Sequence, residues 1–221
     1  MNAALRGAVV LLVILCGVSL AGRARAELTW RDSTYEIHHS FSSGCPRDTL
    51  YEVFHKPAHM RRYLTDANLE IVVHDSSRAH NDITYIYRYF ISRLELRFSR
   101  RIERDERMVS FTLTTSASYG SAIIPKVLRV YGYYRVADSA GTRKVDYYQK
   151  TTLDRDLNPF YIFFIRRDTD QFLVDLEQYL ATIESKLQGS ETGHAGMRTK
   201  PASSGDSRAI DARTPSLREP R

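Results

Sequence analysis

The side chains best suited to chemistry are sparsely placed in this chain. His55 and His59 are four residues apart, the spacing that sets two imidazoles on one helical face. A zinc site needs three or four ligands. Pro57 stands between the two histidines and no third ligand follows at a motif distance, so the sequence predicts surface histidines and no metal site. His38 and His39 are adjacent in an alternating segment and face opposite sides of a strand. Cys45 precedes a helix start, where the helix dipole lowers a thiol pKa. No histidine or acid is fixed beside it by spacing, so a buried or capping thiol is expected. Arg100, Arg101, Arg104 and Arg107 surround a turn at Asp105-Glu106, with Glu103 interleaved. Mixed signs cancel the local field, which predicts a solvated hairpin end rather than an anionic-lipid patch. No Gly-rich phosphate loop, serine-nucleophile motif or paired-carboxylate signature occurs. No catalytic residue and no cofactor is expected.

Aromatic residues carry more. The chain holds 14 tyrosines, and Tyr85, Tyr87, Tyr89, Tyr134 and Tyr147 fall on strand faces that point inward. A tyrosine combines an apolar ring with a polar tip. Such a set either lines a pocket for an amphipathic ligand or fills a core. With Leu96, Phe98, Phe111, Leu113, Val130, Gln149, Phe172, Leu176 and Tyr179 they form the candidate cavity lining.

These residues are positioned by a simple order of elements. Thr34–Phe41 alternates as one strand, and Ser42-Ser43-Gly44 breaks it. Pro46 suits a helix start, where its missing N–H costs nothing. Leu50, Val53 and Phe54 give that helix its apolar stripe; Pro57 ends it, and a second short helix follows. Alternating segments then begin near Leu69, Ile83, Leu94, Val109, Leu128 and Val145, each with one dry and one wet face, as in an antiparallel sheet covered on one side. Phe172, Leu173, Leu176, Tyr179, Leu180, Ile183 and Leu187 recur at helical spacing. Asp168 and Gln171 have the spacing of a capping box for this helix. The class is α+β: about seven antiparallel strands in a curved sheet around a long C-terminal helix, with two short helices after the first strand.

The ends lie outside that domain. Residues 1–26 have Arg6, an apolar run from Ala8 and the small-residue site Ala24-Arg25-Ala26, which together predict a secretory signal peptide. Residues 188–221 are rich in Gly, Ser, Pro and charge, and predict a disordered tail. The formal charge of +6 is carried mostly by these ends, +3 on residues 1–26 and +2 on 188–221, leaving +1 on 27–187. A nucleic-acid reader concentrates its basic excess on the folded domain, so that class is set aside. Past the predicted cleavage site one cysteine remains, Cys45, and there is no Asn-x-Ser/Thr sequon. An exported chain without disulfides or glycans fits a bacterial periplasm.

The order of elements resembles the START-like, or SRPBCC, superfamily of helix-grip proteins. The resemblance spans 27–187 and is carried by CPRDTLYEVFHKPAHMRRYL, by VYGYYRVADSAGTRKVDYYQKTTLD with its central Gly132, and by LNPFYIFFIRRDTDQFLVDLEQYL. It implies the fold. It also implies functions ranging from lipid, sterol and coenzyme Q binding to polyketide cyclisation, among which a shared fold does not select.

The connections 114–126 and 154–167 leave one end of such a sheet and are both apolar. Ile123, Ile124, Phe160, Phe163 and Phe164 are therefore predicted at the cavity mouth, a place for transient membrane contact. Residues 160–165 fit a lid or the buried first turns of the closing helix equally well. The expected function is an exported, non-catalytic protein holding a lipid or other hydrophobic small molecule; the alternative is a cyclase or isomerase using general acid–base chemistry on an aromatic polyketide-like substrate. Export gives a first prediction: the secreted or periplasmic protein should show by mass measurement an N-terminus at or near Glu27. A full-length chain held in the membrane fraction is the opposing result.

Overall fold

The computed structural model describes residues 26–89, 92–120 and 125–195. Residues 1–25 of the predicted signal segment, the tail beyond Ala195, and Ile123 and Ile124 lie outside the described residues, as does the Tyr89 side chain.

The elements run β1 (Glu27–Arg31), β2 (Thr34–Ser43), α1 (Arg47–His55), α2 (Pro57–Tyr63), β3 (Leu69–Ser76), β4 (His80–Tyr89), β5 (Ser92–Glu103), β6 (Met108–Gly120), β7 (Val127–Ser139), β8 (Thr142–Leu153) and α3 (Pro159–Ala195). All neighbours in the single sheet are antiparallel, in the order β1-β2-β8-β7-β6-β5-β4-β3. Eight strands are present where about seven were predicted. The additional strand is β1, five residues long with only Leu28 buried, so it offers almost no alternation to read. Asp32, at φ 53°, lets the chain reverse tightly into β2.

One face of the sheet is dry. Ile37, Ile83, Val109, Val136 and Val145 are buried on it, and Leu50, Val53 and Phe54 of α1, Met60 of α2, and Leu173, Leu176 and Leu180 of α3 complete the core. Leu128 breaks phase and is 54% exposed, because a bulge between Val127 and Arg129 shifts the register of β7 on β8.

The start of α3 differs from the predicted cap. The helix begins at Pro159, and Asn158 caps it by accepting the Tyr161 backbone N–H at 3.0 Å through its side-chain oxygen. Asp168 lies well inside the helix, exposed and paired with Arg167. Asn before Pro is a stronger start than an acid–amide pair, since proline at the first position is already set for helical φ. At the other end α3 runs to Ala195 rather than ending at Leu187, since no proline interrupts QGSETGHA. Backbone contacts divide the chain at Lys186; the unit ending there holds every strand, and the described part of the unit beginning at Leu187 is helix.

Polar clasps hold α3 to β2. His39 Nε2 donates to Glu177 at 2.8 Å, and Glu184 accepts from the Ser43 hydroxyl and the Gly44 N–H, both at 2.6 Å. Thr65, just after α2, donates to Asp175 at 2.7 Å.

Gly132 faces the core opposite Phe111. A Cβ there would lie 2.2 Å from the Phe111 ring and 2.5 Å from the Tyr148 carbonyl oxygen. The bare glycine is what admits the Phe111 ring across β7. Gly132→Ala should therefore destabilise by about 1–3 kcal/mol through forced repacking, measured by denaturant unfolding; unchanged stability would mean that Phe111 moves freely.

Candidate functional site

The inner face has two zones. Beneath α1 and α2 it is sealed. Phe54 stacks on Tyr134 with centroids 4.4 Å apart, and Phe111 and Tyr147 close on Tyr134 at 5.9 and 5.0 Å. Tyr85 packs on Phe98 at 5.4 Å, and Tyr63 on Phe172 at 6.0 Å. Burial holds the Tyr63 and Tyr147 phenols well above their ordinary pKa and pushes Tyr134 up to about 12, so all three stay neutral.

Toward the start of α3 the same face opens. Inward-facing Tyr35, Tyr87, Leu113, Gln149 and Phe172 are only half-buried. Along β8 a polar line crosses this zone: Tyr147 Oη donates to Gln149 at 2.7 Å, and Gln149 donates to the Thr151 hydroxyl at 3.1 Å. Tyr35 also bonds to Thr151 and Gln149.

The strand pairing explains the opening. β6 pairs with β5 from Met108 to Gly120 but with β7 only from Met108 to Thr112. Beyond Thr112 the two strands part. A bulge between Arg97 and Phe98 bends the pair there. Lys126 and Asp154 then tie the start of β7 to the end of β8: the Asp154 N–H donates to the Lys126 carbonyl at 3.0 Å, and the Asp154 carboxylate accepts the Lys126 N–H at 2.9 Å. Residues 114–120 of the first predicted connection are thus the end of β6 and not a loop, while β7 starts beside the end of β8, where the 154–158 connection leaves the sheet.

Of the candidate lining residues, Tyr85, Leu96, Phe98, Phe111, Val130, Tyr134, Tyr147 and Leu176 are buried inward, while Tyr87, Leu113, Gln149, Phe172 and Tyr179 are half-buried. At the predicted mouth, residues 160–165 are the first turns of α3, yet they are not wholly buried. Ile162 is sealed, Phe160 and Phe163 are 66% and 52% exposed, and Phe164 is half-buried between them. Phe160 and Phe163 each lie edge-on to Phe164, at 4.7 and 5.5 Å, and Arg167 covers the Phe164 ring at 5.0 Å.

Two residues overturn their sequence reading. Arg100 does not belong to a solvated hairpin end. It is 5% exposed and inward, donating to the Phe54 carbonyl at 2.5 Å and the Tyr85 hydroxyl at 3.0 Å, with Phe111 and Tyr134 rings 5.3 and 6.0 Å from the guanidinium carbon. The signal was its parity: Leu94, Leu96, Phe98 and Arg100 share one face of β5. His55 is not a surface residue but 1% exposed, with Nε2 3.4 Å from the Ser77 carbonyl. His59 is half-buried and bonds instead to the Tyr179 hydroxyl at 2.7 Å, so the two imidazoles do not converge on a metal. Cys45 is buried, and burial raises its thiol pKa.

On the outer face a groove of about 480 Å³ runs beside Arg101, Met108, Thr112 and Tyr131. It faces away from the aromatic interior.

No protein-family model matches the sequence, and no curated protein is similar to it in sequence. Solved structures match in shape. A STAR-related lipid transfer protein of Xanthomonas axonopodis superposes with a TM-score of 0.50 at 10% identity, over 72% of this chain and 99% of that one. A Thermus thermophilus protein superposes with a TM-score of 0.51 at 11% identity, over 67% and 98%, and a Rhizobium loti protein with 0.51 at 10%, over 68% and 99%. The fold is the helix grip.

Within this helix grip, His55 is the interior base whose titration is most displaced. Burial lowers its pKa from 6.5 to about 4, helped by the Arg100 charge, against the hydrogen bond that the ring gives to the Ser77 carbonyl. It packs at the end of α1, not along the half-buried lining. A base with a depressed folded pKa stabilises the fold above its unfolded pKa and loses that contribution as pH falls. Stability should thus drop by up to ~3 kcal/mol between pH 6.5 and about 4 from this group alone. His55→Gln should flatten that part of the curve in denaturant titrations; an identical acid slope in both proteins would contradict the assignment.

Proposed function

We propose that this helix-grip protein binds a lipid or other hydrophobic small molecule between its sheet and α3, without transforming it. The observation that carries the reading is the change in burial along one face: sealed side chains under α1 and α2, half-open tyrosine, leucine, glutamine and phenylalanine where β6 leaves β7. A core packed only for stability has no reason to leave its inward side chains open at one end, whereas a binding cleft is apolar with a few fixed polar groups. Gln149, Tyr35 and Thr151 are such groups. The likeness in shape to the Xanthomonas lipid transfer protein agrees with this reading.

A cyclase would need an acid or base aimed into the cleft at a working pKa. Among the described residues no aspartate or glutamate is buried, His55 sits apart from the lining, and the inward His39 is held by Glu177, which favours the binding reading. Phe160 and Phe163, exposed at the open end, are read as the mouth and as the contact made with a membrane while cargo passes, because aromatic side chains settle at the bilayer interface. The signal-peptide pattern and the lone Cys45 support a periplasmic or secreted location.

Native mass spectrometry of the purified protein should show co-purified hydrophobic ligand; a bare chain that also fails to take up a fluorescent fatty acid would remove the reading. Phe160→Ser with Phe163→Ser should leave the melting temperature within about 2 °C, since exposed side chains contribute little to stability. The same double variant should slow transfer of the fluorescent fatty acid from vesicles. A large fall in melting temperature would place these rings in the core instead.

A further inference from the structure

We propose that Arg100 is an anion anchor inside the protein, and that the molecule held there is an apolar carboxylic acid whose carboxylate pairs with the free Nε edge of the guanidinium. This rests on the binding reading above and narrows its ligand class.

Arg100 carries a full charge at any physiological pH, yet it is 5% exposed. Among the described residues none of its contacts is an ion pair, and no buried aspartate or glutamate stands near it. A buried charge without a partner is strongly unfavourable. Its present neighbours offset this only in part. The Phe54 carbonyl belongs to the last turn of α1, whose dipole is equivalent to roughly half a negative charge. The Tyr85 hydroxyl accepts from Nη1, and the Phe111 and Tyr134 rings present their π faces. Burial opposes the charge, and a further side-chain hydrogen bond joins the guanidinium to the neutral Tyr134 hydroxyl. The nearest titratable base, His55, is neutral at pH 7.

Nε is buried and has no hydrogen-bond partner. A guanidinium offers five donors in a planar fork matched to a carboxylate, and here one edge of the fork is unused. Capping α1 does not require the charge: Asn81, a neutral donor, serves the adjacent His55 carbonyl at the same helix end. What capping leaves unexplained is the cation itself. A carboxylate supplies the missing charge and the missing acceptor together.

The position also suits an elongated acid. From Arg100 the rings of Tyr134, Tyr147 and Phe172 follow one another, with centroids 5.0 and 5.7 Å apart, and Phe172 is half-buried in the open zone. An acid head at Arg100 would have to displace part of the Phe54, Tyr85 and Tyr134 packing that seals this zone, with its apolar body along these rings and its tail toward the mouth.

The test compares cis-parinaric acid with its methyl ester on the intact protein, by fluorescence titration at pH 7. The two share the apolar chain and differ in charge. The acid should bind about tenfold or more tightly than the ester, the scale of one charge-assisted bidentate contact. In Arg100→Met, with folding checked by circular dichroism, the acid-to-ester preference should fall to near unity. If Arg100→Met does not fold, Arg100→Lys, which keeps the charge but loses the planar fork, should still lower the preference, and an undiminished preference in it overturns the bidentate anchor. Equal affinities in the wild type overturn the anchor and leave the binding reading intact. An acid preference that survives in folded Arg100→Met overturns the role of Arg100. No uptake of either probe overturns both readings.

Discussion

Much of this structure depends on how the end of α1 is closed. The last four carbonyls of a helix have no partner within it, and here those of Val53, Phe54 and His55 are buried. Each is met from a different part of the chain. The Lys56 N–H takes Glu52, the Tyr63 hydroxyl takes Val53, Arg100 takes Phe54, and Asn81 takes His55. One donor follows α1 directly, one comes from α2, one from β4 and one from β5. An unsatisfied buried carbonyl costs about 1–3 kcal/mol, so the four together fix where α1 and α2 sit on the sheet. The buried guanidinium is the most demanding of them, because it must be held by rings and hydroxyls rather than by a carboxylate.

Once α1 is fixed, the two zones of the inner face follow. Phe54 is carried onto Tyr134, and the absence of a side chain at Gly132 gives the Phe111 ring room beside them. That end fills. At the other end β6 has left β7, and among the described residues α3 contributes Ile162, Ile165 and Phe172. The clasps from Glu177 and Glu184 hold the later turns of α3 on β2, while its first turns rest on apolar contact. The contrast between a filled end and an open end is therefore a property of strand geometry, with side-chain size secondary.

Alternation made the inward faces legible in the sequence, since period-two burial is a direct consequence of strand geometry. Tyr85, Phe98, Phe111, Tyr134 and Tyr147 were placed by it and do meet inside. Arg100 obeys the same alternation, but its charge suggested the surface; nothing local reveals that Phe54 and Tyr85, far apart in sequence, supply its partners. His55 was hidden in the same way, because its burial depends on the β3–β4 turn at Ser77. The departure of β6 from β7 has no clear sequence mark beyond the bulge opposite Arg97 and Phe98, and a bulge is a matter of pairing rather than composition. Asn158-Pro159 did mark the start of α3, and outweighs the Asp168–Gln171 spacing that also resembles a start.

The strand order carries a consequence for how the chain reaches this state. β2 pairs with the preceding β1 on one edge; its other edge is closed by β8, and the hydroxyls of Thr34 and Thr152 meet at 3.3 Å across 118 residues of sequence. The run β3 to β6 can zip by consecutive hairpins, but the first strands must wait for the last. Closing so long a loop is a slow step, because the entropy is lost before the contacts form. A chain emerging from its N-terminus thus carries β2 with a bare edge and bare inner face until residues near 150 arrive. During that interval Ile37, Phe41 and their neighbours are open to wrong pairing, and the time needed to deliver the final third of the chain sets how long the exposure lasts.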